Sequence, residues 1–99
     1  MPSKIKKVSE DAFYECTNLQ KVNLNNVTNI GEAAFSRCKS LKTIKGNKIK
    51  KIGIDAFYQN VKLKTIQLGK VTKIESEAFN GCTSLKKVNL SKVKEFGEE

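Results

Sequence analysis

Cys16, Cys38 and Cys82 are the most reactive side chains in this sequence, and no histidine stands anywhere to activate them. A thiol becomes a nucleophile or a metal ligand only as the thiolate, which needs a neighbouring base, cation or metal. The missing histidine removes the commonest general base and the commonest metal ligand. No Cys-x-x-Cys pair completes a zinc site. Thr43, Thr65 and Thr83 have no activating neighbour. Gly31, Gly53 and Gly97 are spread along the chain, not gathered in a phosphate-cradling loop. The ten carboxylates mostly mark turns. These residue types call for no catalytic site, no metal and no cofactor, and they leave binding as the class of function to explain.

The cysteines are in phase with a repeat. Ala12-Phe13, Ala34-Phe35, Ala56-Phe57 and Ala78-Phe79 follow one another every 22 residues. Cys16, Cys38, Asn60 and Cys82 form the next column, then Leu19, Leu41, Leu63 and Leu85. Val22, Ile44, Ile66 and Val88 follow, and after them Leu24, Gly46, Leu68 and Leu90. Val27, Ile49, Val71 and Val93, with Ile30, Ile52, Ile74 and Phe96, close the cycle. Apolar columns held in phase over several turns predict a solenoid, in which each coil shares its core with its neighbours. The cysteine column then reads as a buried ladder position for small, weakly polar side chains. A Cys16–Cys38 bridge is the alternative: coils stacked ~4.8 Å apart are close enough for a disulfide, although ladder side chains point alongside rather than at each other. Gly46 predicts either a leucine-sized gap or a backbone that moves in to close it.

The elements of each repeat follow from local pattern. LQKVNL, LKTIKG, LKTIQL and LKKVNL alternate inward apolar with outward polar residues, a strand signal, and strands repeated at this period must stack in parallel. A tight turn comes next, at Asn25-Asn26 and its equivalents. A second short extended piece, Val27-x-x-Ile30, returns along the opposite side. Ser9-Glu10-Asp11, Gly31-Glu32, Ile54-Asp55 and Ser76-Glu77 put acids just before the Ala-Phe pair, which resembles a helix N-terminus. The expected fold is therefore an α/β repeat solenoid of about four and a half 22-residue repeats, with a parallel sheet on one face and a short α or 3-10 segment in each repeat.

Two surfaces could bind. The sheet face carries Lys21, Asn23, Thr43, Lys45, Thr65, Gln67, Lys87 and Asn89, a polar row set without an aromatic anchor. The return side carries Lys4, Lys6, Lys7, Lys48, Lys50, Lys51, Lys70, Lys73, Lys92 and Lys94 against Glu95 alone. It thus holds the whole excess charge of +9 that nineteen basic and ten acidic residues leave. Such rows suit an extended polyanion, and lysine on an exposed edge also simply keeps a protein soluble.

The first dozen residues, MPSKIKKVSEDA, hold no apolar run and so no signal peptide, and no run is long enough to span a bilayer. Residues 1–99 read as one repeat domain without capping repeats, expected to be part of a longer array. Ile5 and Val8 at one end, and Leu85, Val88, Leu90, Val93 and Phe96 at the other, are apolar columns open to end-to-end self-association.

The motif L-x-x-I-x-L-x-x-V-x-x-I-G-x-x-A-F-x-x-C-x-x, here LQKVNLNNVTNIGEAAFSRCKS from Leu19 to Ser40, resembles the BspA-like leucine-rich repeats, also called the Treponema pallidum type. The resemblance implies a right-handed leucine-rich solenoid on the surface of a host-associated microbe, or secreted from it. It also implies a role in adhesion and protein–protein binding, with a host matrix or cell-surface protein as the partner. The leading expectation is a non-catalytic protein-binding module. The alternatives are binding of a glycosaminoglycan, nucleic acid or acidic lipid through the lysine side, and a structural spacer.

Overall fold

The computed structural model describes residues 6–69 and 71–85, and the strand backbone at 87–88 and 95–96. Each inward β-branched residue of the L-x-x-V/I-x-L motif centres a short strand: β2 (Lys21–Asn23), β4 (Thr43–Lys45), β6 (Thr65–Gln67) and β8 (Lys87–Val88). They pair in parallel and in that order, with Val22 beside Ile44, Ile44 beside Ile66 and Ile66 beside Val88. This register repeats every 22 residues, and about three turns of the coil are built this way.

The returning pieces also pair. β1 (Lys7–Val8), β3 (Asn29–Ile30), β5 (Lys51–Ile52), β7 (Lys73–Ile74) and β9 (Glu95–Phe96) make a second parallel sheet, of five strands. The expectation of a sheet on one face is thus corrected to sheets on two. The return strands present amides and carbonyls to the coils above and below just as the first set does, and unpaired backbone groups are costly.

No helix of either kind occurs among the described residues, so the expected α or 3-10 segment is a further correction, and the chain is a β-solenoid. The Ala-Phe side is instead a run of turns whose amides alternate between two kinds of partner. Phe13, Phe35 and Phe57 donate to Ala34, Ala56 and Ala78 in the next coil, at 2.7, 2.8 and 2.8 Å. The intervening amides of Ala34 and Ser36 close turns onto Gly31 and Ala33, at 3.2 and 3.1 Å. The cause is spacing. A helix with its side chains is ~10 Å wide, whereas stacked strands are ~4.8 Å apart. The phenylalanine rings stack at 5.0, 5.4 and 5.4 Å between centroids, so this side rises at close to the sheet spacing and has no room for a helix.

Three of the acids expected at helix starts occupy left-handed turn positions, and Glu10 and Glu32 stand just before such positions. Asp11, Asp55 and Glu77 have φ of 57°, 56° and 58°, and Ala33 in the same column has 56°. Glu15, Arg37 and Gln59 form a second such column at 54°, 60° and 54°, completed by Gly81 at 83°. Left-handed backbone costs an L-residue ~1–2 kcal/mol. The inter-coil hydrogen bonds from these same amides, such as Ala33 to Ile54 and Arg37 to Tyr58 at 2.8 and 2.7 Å, offset it.

The core lies between the three sides. Leu24, Phe35, Leu41, Ile44, Ile49, Ile52, Phe57, Leu63 and Ile66 are all buried, each contributing ~1.5–3 kcal/mol. The Gly46 position is not an empty gap. A Cβ there would fall on Cδ1 of Ile49, which occupies the space itself. In the coils where leucine stands in the Gly46 column, the Ile49 column holds valine. At the first coil, Phe13, Cys16, Leu19 and Val22 are only half-buried, while the apolar columns expected at the far end from Val88 onward lie outside the residues whose side chains are described.

Candidate functional site

On the four-stranded sheet, the strand register lines up Lys21, Thr43, Thr65 and Lys87 in one row, and Asn23, Lys45 and Gln67 in a second. Lys21, Asn23, Lys45 and Gln67 are exposed, and Thr43 and Thr65 are half-buried between their neighbours. The expected sheet-face residues are therefore brought together, except that Asn89 and the Lys87 side chain lie outside the described residues. Asn23 also shapes the turn after β2, where its Oδ1 accepts the amide of Asn25 at 3.0 Å.

The basic side is less uniform than its sequence columns suggest. Lys48, Lys50 and Lys51 are exposed. Lys70, Lys92 and Lys94 lie outside the described residues, so the expected Lys48–Lys70–Lys92 row and the Lys50–Lys94 pair cannot be traced as rows. Thr28 and Thr72 stand in the Lys50 column, and their hydroxyls donate to the carbonyls of Lys6 and Lys50, at 3.3 and 3.4 Å. Lys51 and Lys73 are neighbours in the ladder, and one carboxylate serves both: Glu75 Oε2 is 3.5 Å from Lys51 Nζ and 3.8 Å from Lys73 Nζ. Glu75 was not among the candidates drawn from sequence because it belongs to the glycine column of Gly31 and Gly53. The one signal for it in the sequence is that it is the charged member of that column.

The cysteine column is structural. Sγ of Cys38 donates to the carbonyl of Phe13, and Sγ of Cys82 to that of Phe57, each at 3.1 Å. Asn60 does the same with Nδ2 toward Phe35, at 2.8 Å. All three cysteines are free thiols. Burial pushes the thiols of Cys38 and Cys82 up to about 11, so both are protonated donors at neutral pH and poor nucleophiles. Among the described residues, no group of His, Cys, Asp or Glu is placed to hold a metal ion. No helix among them is long and apolar enough to cross a membrane.

Parallel strands in register, a stacked Phe ladder and a buried Cys/Asn ladder together describe a leucine-rich coil with Ala-Phe-x-x-Cys at its turn side. The model of the BspA type leucine rich repeat region matches residues 1–99 in 6 copies. The chain belongs to the BspA-type leucine-rich repeat family. This BspA-type coil is similar to a leucine rich cell surface protein from Faecalibacterium prausnitzii, known from a crystal structure at 1.80 Å resolution. The two are 28% identical, with a TM-score of 0.61 over 87% of this chain. The match spans 30% of the Faecalibacterium protein, so this BspA-type chain corresponds to less than a third of its length. No curated protein sequence matches the chain.

Proposed function

We propose that this chain is a non-catalytic binding module of a surface or secreted leucine-rich repeat protein, and that residues 1–99 act as one repeat domain within it. The partner is a protein of a host matrix or cell surface, met by the four-stranded sheet. The observation that carries this reading is the pair of polar rows, Lys21-Thr43-Thr65 half-buried at its threonines and Asn23-Lys45-Gln67 exposed, held at fixed pitch by the ladder beneath them. A rigid, pre-ordered row loses little entropy on docking. The likeness to a cell surface protein supports the location. Surface plasmon resonance against a panel of purified matrix and cell-surface proteins tests it. A binder is expected whose affinity falls at least tenfold in Thr43→Glu/Thr65→Glu. Equal retention by that variant and the parent chain would contradict the sheet face as the site.

A second reading is favoured by Lys48, Lys50 and Lys51, exposed together on the return side of one coil. These cations suit a sulfated glycan, whose binding weakens steeply with salt as counterions are released. The Glu75 carboxylate competes for Lys51 and Lys73. Glu75→Gln should therefore strengthen heparin retention. Lys48→Gln/Lys50→Gln should weaken it more than Lys21→Gln/Lys45→Gln, which removes equal charge from the sheet face. Equal losses would reduce this reading to net charge alone.

A further inference from the structure

Charge is divided between the sides of this coil. Every carboxylate whose side chain is described, from Glu10 to Glu77, stands on the turn side, in residues 9–19, 31–41, 53–63 and 75–85. The return strands and the turns before them hold lysine and, among the described residues, no carboxylate. Lys6, Lys7, Lys48, Lys50 and Lys51 are exposed there. Acids and lysines alternate along each repeat in the sequence, and coiling sorts them onto separate sides.

The turn side is also where apolar surface is left uncovered. Tyr14, Ile54 and Val61 are the exposed large apolar side chains among the described residues, at 43, 42 and 38%, and all three belong to it. Two of its acids are engaged within the chain, Glu15 with Arg37, and Glu75 with Lys51 and Lys73. Glu10, Asp11 and Glu32 are exposed and make no ion pair among the described residues. Apolar side chains edged by unpaired carboxylates call for a partner that is basic.

We infer that the turn side docks on the lysine-bearing return side of a second copy of this chain, the two coils standing side by side with their axes parallel. The chain's own return side fits the requirement, since it presents cations without a carboxylate among them. Both sides belong to one coil and share its rise, which the stacked Phe rings hold at 5.0 to 5.4 Å. A pairing made at one level therefore recurs at the next. The contact is already made once inside the chain, where Glu75 bridges Lys51 and Lys73 on two successive levels, at 3.5 and 3.8 Å. Glu10 and Glu32, on successive levels of one column, meet the neighbour's lysines in the same manner. Lysine stems cover Ile54, the next member of that column.

The net charge of +9 on each copy opposes association. At about 0.15 M salt the Debye length is ~8 Å, so the charges that face each other decide the contact and the remote excess is screened. The contact joins different surfaces of the two copies and is heterologous. It leaves the four-stranded sheet free, so the inference stands or falls apart from the proposed function.

Sedimentation velocity from micromolar to millimolar chain, at about 0.15 M and about 1 M salt, tests it. Concentration-dependent association is expected at the lower salt and should weaken at the higher. Glu10→Lys/Glu32→Lys and Lys48→Glu/Lys50→Glu, all at exposed positions, should each associate at least tenfold more weakly than the parent while keeping its circular dichroism. Mixed one to one, the two variants should associate again, because one keeps the native return side and the other the native turn side. Both remain net positive, so recovery on mixing reports the facing sides and not overall charge. A chain that stays monomeric at millimolar concentration overturns the inference, even where its turn side binds oligolysine, which would assign that side to another basic partner. It is equally overturned by a mixture that fails to associate, or by association that survives both reversals and strengthens with salt, as apolar end-to-end stacking does.

Discussion

Gly46 and Ile49 show how a single residue can be misread when its column is considered alone. The column of Leu24, Leu68 and Leu90 makes Gly46 look like a hole, and filling a hole with leucine should stabilise. The hole is already filled by Ile49. Gly46→Leu should therefore destabilise by ~1–3 kcal/mol through overpacking, and adding Ile49→Val should recover most of that loss. Urea unfolding of the two single variants and the double variant measures the coupling; additive losses would show that the two side chains do not share the space. Asn60 poses the opposite case. Its Nδ2 reproduces the cysteine bond to the preceding Phe carbonyl, but its Oδ1 is buried without a partner. Asn60→Cys keeps the donor and removes the orphan acceptor, and should stabilise by ~1 kcal/mol. A lower melting temperature would mean that the second Nδ2 bond, to Tyr58 at 3.2 Å, matters more.

The turn side is the element that sequence reading described least well. The strands were legible because alternation and period fix them independently, and Val22, Ile44 and Ile66 sit where the pattern put them. The acids before Ala-Phe were misread because a carboxylate suits a helix start and a left-handed turn alike. Only the coil spacing decides between them, and no single repeat contains that information. The consequence is electrostatic. Asp55 lies one coil from Glu77 in the left-handed column, and one oxygen of its carboxylate is buried without a partner. Burial, and then the charge of Glu77, push the Asp55 carboxyl above its ordinary 3.8. A raised carboxylate pKa means that the folded state holds the proton more tightly than the unfolded chain. Stability is therefore lost as pH rises from the ordinary value through the folded one, and the penalty is complete above it. Asp55→Asn should thus stabilise at neutral pH, with a gain that fades below about pH 4. Asparagine tolerates the left-handed backbone as aspartate does. A gain of the same size at acid and neutral pH would remove charge from the explanation.

At the scale of the whole molecule, the solenoid and its family were legible in the columns, and so was the register of the four-stranded sheet. The Glu75 bridge was not. A column states which residues stack, but not how near the backbones of successive coils come at Gly31 and Gly53. Three stacked sides, rather than two sheets and a helix, set the pitch of the coil and hence the pitch of every surface row. Scalar couplings across hydrogen bonds test it most directly, since they report which carbonyl each amide nitrogen addresses. A coupling is expected from the nitrogen of Phe35 to the carbonyl carbon of Ala56, in the next coil, and likewise from Phe57 to Ala78. A coupling from Phe35 to Gly31 instead, four residues back as in an α-helix, would contradict it.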